Sequence, residues 1–171
     1  MKLKLIEPCI EIEAAYCDYI LEWEASGDKI VPYASSRRGM TYDELLADWK
    51  ESKTDLVYKK GFVPASLYFL VDEEGRILGS IHFRHELNDH LLKEGGHIGY
   101  GVRPSERKKG YAGLMLKTFL KVIEGLGYEK VLVTCDADNE GSAKTIEKNG
   151  GVLENILEEN GQATKRYWIT I

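Results

Sequence analysis

The stretch that decides the fold is His97–Gly113, HIGYGVRPSERKKGYAG. Ile98, Tyr100 and Val102 alternate with Gly99 and Gly101, the period of two expected of a strand over residues 97–103. Pro104 has no amide proton to give a ladder, so the strand ends there and a charged loop runs to Lys109. A helix then opens near Gly110. Arg107, Gly110 and Ala112 fall at the spacing R-x-x-G-x-A. Small residues at a helix start let the backbone come close to a ligand, and the first amides of a helix have no acceptor within it. Those amides, the positive end of the helix dipole, and Arg107, Lys108 and Lys109 together make an anion site suited to a pyrophosphate. The plainer alternative is a strand-to-helix turn with a solvated basic loop.

Val102, Pro104, Arg107, Gly110 and Ala112 stand in register with V-x-P-x-x-R/Q-x-x-G-x-G/A, so the stretch resembles the acyl-CoA binding motif of the GNAT superfamily of N-acetyltransferases. A second stretch, DADNEGSAKTIEKNGG (136–151), resembles the family's N-x-x-S/A followed by a helix and a closing K-x-G, with Asn139, Ser142, Lys148 and Gly150 in place. The wider run from Gly79 to Gly113 resembles a branch of bacterial GNAT proteins known mainly as predicted acetyltransferases. The resemblance implies an α/β fold, a central twisted mixed sheet flanked by helices, with acetyl-CoA as co-substrate and no metal. It implies cofactor contacts at Gly101, Val102, Arg103, Arg107, Lys108, Lys109, Gly110, Tyr111, Ala112 and Gly113, and at Asn139 and Ser142 on the pantetheine arm. Asp138 or Asn139 would serve equally well as a helix cap, and the two roles are compatible.

The rest of the chain sets bounds. With 171 residues, one domain over 1–171 is expected. A net charge of −5 argues against a general nucleic-acid or membrane-surface partner, and the local basic cluster suits a small polyanion better. Cys9, Cys17 and Cys135 are odd in number and widely spaced, which fits reduced thiols rather than disulfides or a zinc site. The opening MKLKLIEP has no apolar run of the signal-peptide kind and no segment reaches membrane-spanning length, so a cytoplasmic protein is expected. Oligomeric state stays open, a homodimer included.

In chain order, Lys2 to Ile6 reads as an edge strand, and Pro8 opens a helix through about Ala25 with Ile10, Ala14, Cys17, Ile20 and Leu21 as its apolar stripe. Its other face carries Glu11, Glu13, Asp18, Glu22 and Glu24, either a solvated face or an attractor of a cationic substrate. Thr41 and Glu44 form a capping box for a second helix over roughly 42–52. Pro64 to Asp72 and Arg76 to Glu86 read as a hairpin around Glu74-Gly75. A helical turn follows at Asn88–Lys93, then the central strand, and a helix with Leu114, Leu116, Phe119, Leu120 and Ile123 inward. Val131–Thr134 is a strand buried on both faces, and Val152–Ile156 with Thr164–Ile169 make a last hairpin.

Acetyl transfer to an amine needs an unprotonated nucleophile, a donor aimed at the oxyanion, and a proton for the leaving thiolate. The resemblance implies a central strand that splays from its neighbour near a bulge; Gly99 and Gly101 are placed for such a bulge, with the amides of Tyr100 to Arg103 as candidate oxyanion and pantetheine donors. His97 stands where many relatives carry a glutamate, so it is either the general base or a histidine that only bonds between strands. His82, Arg84 and Glu86 share a face by alternation; Glu86 is then a rival base and Arg84 a holder of a substrate carboxylate, unless that face is merely exposed. Many GNAT enzymes place a proton-donating tyrosine seven residues after the signature asparagine, where this chain has Ile146, so Tyr100, Tyr111 or water takes that role. The expected activity is transfer from acetyl-CoA to a primary amine of a small molecule or peptide, the alternative being a non-catalytic acyl-CoA binding or sensing module.

Overall fold

The structure, a computed structural model, describes residues 2–171. In chain order it contains β1 (Lys4–Ile6), α1 (Glu13–Ser26), α2 (Tyr42–Glu51), β2 (Ala65–Val71), β3 (Ile77–Arg84), α3 (Asp89–Lys93), β4 (Ile98–Val102), α4 (Tyr111–Glu124), β5 (Lys130–Asp136), α5 (Glu140–Lys148), β6 (Gly151–Glu159) and β7 (Gln162–Thr170). The strands form one seven-stranded sheet in the order β1-β2-β3-β4-β5-β7-β6. Every neighbouring pair is antiparallel except β4 and β5, which run parallel because α4 crosses between them. This is the mixed α/β sheet expected from the sequence.

Local chemistry accounts for the elements. The Thr41 hydroxyl accepts from the Glu44 amide at 3.3 Å while the Glu44 carboxylate takes the Thr41 amide at 2.8 Å, so the capping box starts α2 as read. The β2–β3 turn closes with Gly75 at φ 83°, where a side chain is disfavoured. One face of the sheet is covered by α4 and α5, which bury Met115, Leu116, Phe119, Ile123 and Ile146 against Phe83, Ile98 and Val133. On the other face α1 and α2 bury Tyr16, Tyr19, Trp23 and Trp49 against Phe69 and Ile77.

The inward face of α1 differs from the expected stripe. Tyr16, Tyr19, Ile20 and Trp23 point inward, while Ile10 and Leu21 are 54% and 56% exposed. The aromatic set follows the helical spacing equally well, and its two hydroxyls find partners: Tyr16 Oη donates to the Ser35 carbonyl at 2.8 Å, and Tyr19 Oη lies 2.9 Å from Ser80 Oγ. Aromatic bulk with a satisfied hydroxyl fills this core better than smaller aliphatic groups. A second difference concerns β3, which ends at Arg84 and does not reach Glu86.

The pairing of β4 decides where a site can form. Five residue pairs join β4 to β3, but only Ile98↔Val133 joins it to β5, whereas β5 and β7 share seven pairs. From Gly99 onward β4 parts from β5 and leaves a wedge-shaped gap. The face of β4 toward α1 is closed at its far end by the Val31 loop: a Cβ built on Gly101 would stand 1.9 Å from the Val31 carbonyl oxygen. Glycine is therefore required at 101 for the loop to seat. Gly101→Ala is expected to destabilise the protein by about 1–3 kcal/mol as the loop is pushed off. Chemical denaturation reads this directly, and unchanged stability would show that the loop is not seated on the strand.

Candidate active site

Strand alternation fixes which backbone groups face the gap. The Arg103 amide donates to the Leu78 carbonyl of β3 at 2.9 Å, so the amides of Gly99 and Gly101 point the same way and those of Tyr100 and Val102 point toward β5. With no registered partner on that side among the described residues, Tyr100 and Val102 turn their amides to the gap. Gly101 offers none: its amide serves β3 and its bare face receives Val31.

Beyond the strand lies a second set of free donors. The amides of residues 108–113 have no acceptor among the described residues, the first α4 bond being Leu114 N to Gly110 O at 3.1 Å. Lys108 and Gly110 both lie in the left-handed region, at φ 62° and 86°. Such turns bring successive amides to one concave side, and α4 adds its positive end. A left-handed lysine is uncommon and persists only where its surroundings hold it. The cradle fits a diphosphate through backbone groups.

The basic side chains of the loop are mostly spoken for. Arg107 donates to Asp28 Oδ2 at 2.6 Å and lies 4.8 Å over the Trp23 ring, so it faces α1. Lys109 Nζ is 2.9 Å from Glu106 Oε2. Lys108 has no ion pair among the described residues. Arg103, expected at the cofactor, is 2% exposed and lies inside the fold. Its Nε donates to Glu22 at 2.8 Å, Nη1 to the Ile77 carbonyl at 3.0 Å, and Nη2 pairs with Asp18 at 2.9 Å. Glu22 also accepts from the Ser105 amide at 2.7 Å. Burial would raise the Glu22 carboxyl, but the bonds from Arg103 and Ser105 outweigh it and hold it at about 2. So part of the acidic face of α1 anchors the end of β4, a role the sequence reading did not assign.

The candidate proton carriers separate. Leu132 N–H donates to His97 Nδ1 at 2.9 Å, and His97 N–H returns a bond to the Leu132 carbonyl at 2.8 Å. The neutral ring therefore carries its proton on Nε2, and its one basic lone pair is occupied. Burial, then the Arg84 charge, pushes the ring down to about 4. His97 is a strut between β4 and β5 and not a free base. Glu86 is exposed beyond the end of β3, where it accepts from Tyr58 Oη at 2.9 Å. Tyr100 Oη lies 2.9 Å from Ser142 Oγ, bridging β4 to α5. Burial, against the pull of that bond, pushes the phenol up to about 12, so it stays protonated. Asn139 caps α5, its Oδ1 accepting from Ser142 N at 3.0 Å. Ile146 is fully buried in the core. Cys135 is buried and its thiol raised by that burial, which makes it a poor nucleophile.

Comparison with known proteins shows the family and the fold. The sequence model of the acetyltransferase (GNAT) domain matches residues 18–152. No curated protein matches the sequence. Among solved structures the chain is similar to RimL, a ribosomal L7/L12 alpha-N-protein acetyltransferase in complex with coenzyme A. The TM-score is 0.70 at 18% identity, covering 100% of this chain and 95% of that one. It is also similar to the ribosomal-protein-S5-alanine acetyltransferase from Vibrio fischeri, with TM-score 0.71 at 14% identity, covering 99% and 93%. A chimera of spermidine N-acetyltransferase SpeG from Vibrio cholerae and hSSAT aligns with TM-score 0.66 at 17% identity, covering 99% and 96%.

The assignment of His97 has a direct check. His97→Asn keeps an acceptor for the Leu132 amide without a titrating ring, whereas His97→Ala leaves that amide unpaired and is expected to cost about 1–3 kcal/mol. The folded ring titrates at about 4 and the unfolded one near 6.5, so the unfolded chain holds the extra proton between those values. Stability from this group is complete above pH 6.5 and falls as pH drops toward 4, by about 2 kcal/mol at pH 5. Denaturation curves at pH 7.5 and 5 should show this loss shrinking in His97→Asn. Turnover in that variant should stay near wild type, whereas loss of a true base would cost about a hundredfold or more.

Proposed function

The chain belongs to the GNAT acetyltransferase family, and on that premise we propose that it moves an acetyl group from acetyl-CoA to a primary amine of a small molecule or peptide by direct attack on the thioester. The observation that carries the reading is the pairing of two unsatisfied backbone sets: the cradle at 108–113 and the open edge of β4 beside it. A diphosphate suits the first, and a narrow amide-bearing arm suits the second. Acetyl-CoA supplies the activated acyl group.

Each residue then has a defined task. Amides 108–113 hold the diphosphate, with Lys108 as the unpaired cation of the loop. The Tyr100 and Val102 amides serve the pantetheine arm and the oxyanion. Asn139 and Ser142 flank the arm from α5, and the protonated Tyr100 hydroxyl is the proton source for the departing thiolate in place of the tyrosine that Ile146 replaces. The amine attacks as the free base and loses its second proton to water at the mouth of the gap, since His97 Nδ1 is occupied and Glu86 lies outside. Relatives act on ribosomal proteins and on spermidine, so both peptide and small-molecule acceptors occur on this fold.

The buried Ile146 and the lack of a free base also favour a second reading, an acyl-CoA binding module without turnover. Incubation with acetyl-CoA and a panel of amines, following thiol release, separates the two: binding without release on any amine supports the module. Gly110→Val, at a position with φ 86°, should reshape the cradle and lower acetyl-CoA affinity by about tenfold or more; unchanged affinity by calorimetry would refute the cradle. Tyr100→Phe should lower kcat by about ten- to a hundredfold while leaving acetyl-CoA affinity almost unchanged, and an unaltered kcat would remove it as the acid.

A further inference from the structure

We propose that Arg84 recognises a carboxylate on the acceptor, so that the amine arrives on a molecule carrying an acid group close to it, an amino acid rather than a polyamine. The proposal rests on the acetyl-transfer reading and narrows its substrate class.

Arg84 closes β3, and its amide donates to the His97 carbonyl at 2.7 Å, opposite the point where β4 is about to part from β5. Its guanidinium lies over Gly99: a Cβ built there would stand 3.4 Å from Nη1 and 3.5 Å from Nη2. Glycine at 99 thus leaves room for the flat group beside the first residue of the gap. Nη1 donates to the Gly95 and Gly96 carbonyls at 2.9 and 3.4 Å. Nε and Nη2 have no acceptor among the described residues, which leaves three N–H donors in a planar fork.

The contrast with the other arginines is informative. Arg37, Arg38, Arg76, Arg103, Arg107 and Arg166 each have a carboxylate within salt-bridge distance. Arg84 has none among the described residues, although its side chain is partly withdrawn from water. Burial alone pushes it down to about 10, with no acidic neighbour opposing the shift. A cation held in low dielectric without a counter-charge is costly, and a bidentate carboxylate is its natural complement. Direction adds to this. Arg84 and Gly99 lie on the face toward α1, whereas Tyr100 reaches across the opposite face to α5. A carboxylate on Arg84 brings the amine to the gap from the side away from the proton donor for the thiolate.

The test measures thiol release with acetyl-CoA for a set of L-amino acids, their amides and the corresponding decarboxylated amines. For at least one amino acid, kcat/KM should exceed that of its amide by about tenfold or more. Arg84→Gln should bring the ratio close to one, and Arg84→Lys should retain part of it. Because the Gly95 and Gly96 contacts serve all acceptors alike, an equal loss on acid and amide would mark Arg84 as structural and overturn the proposal; so would an amide or polyamine used as well as any amino acid. If no amine is acetylated, the transferase reading fails. In that case the same amino acids are titrated into CoA-loaded wild-type protein and Arg84→Gln by calorimetry. Carboxylate-dependent binding lost in the variant keeps the Arg84 site, and its absence overturns it.

Discussion

The structure depends on a strand that gives up one of its two neighbours. β4 meets β5 at a single residue pair and then diverges, which leaves backbone donors facing no strand. Each buried unpaired donor costs about 1–3 kcal/mol, so the strand cannot be left to find its own place. It is fixed on three sides. Five pairs with β3 hold one edge, the reciprocal His97–Leu132 bonds hold the root of the gap, and Arg103 ties the tip to Glu22 and Asp18 on α1. The sheet stays parted because its ends are held elsewhere.

The same economy explains the loop that follows. Arg107 and Lys109 look in sequence like side chains for a polyanion, yet they neutralise Asp28 and Glu106. What their pairing does is fix the path of the backbone. With the loop tied through Arg107 to Trp23 on α1 and to Asp28 beyond its end, and through Glu106 to Arg76 just before β3, residues 108–113 are held in a shape that turns their amides outward. Side-chain charge here shapes the loop, and in the proposed reading the groups offered to the diphosphate are peptide dipoles.

How much of this was legible in the sequence follows from the distance over which each signal acts. Caps, turns and alternation are local, and Thr41–Glu44, Gly75 and the Gly99–Gly101 alternation all read correctly. The partners of Arg103, Arg107 and His97 lie 81, 79 and 35 residues away, so no spacing rule reveals whether those side chains face a ligand or the fold. Alternation carried past Arg84 puts Glu86 on a strand face, but the strand stops at Arg84. On α1 apolar spacing favours Ile10 and Leu21, but aromatic residues with polar tips take the inward face. A carboxylate on one element and an arginine far along the chain is a signal only once topology brings them together.

The missing general base has a physical counterpart in the behaviour of the groups already present. Along β3 and β4 burial moves each titrating group toward its neutral form: His82 to about 3, His97 to about 4, Arg84 to about 10 and Tyr100 to about 12. An ammonium brought to the same place feels the same loss of hydration, and its pKa falls as those of the histidines and the arginine do. Under the proposed reading that environment enriches the free amine, the form that attacks a thioester. A dedicated carboxylate at the gap would work against this, since its negative charge stabilises the ammonium. Among the described residues no acid stands beside Arg84 and no base is free, and under the proposed reading both belong to one property: a low-dielectric wedge that keeps the amine neutral by desolvation and the Tyr100 phenol protonated.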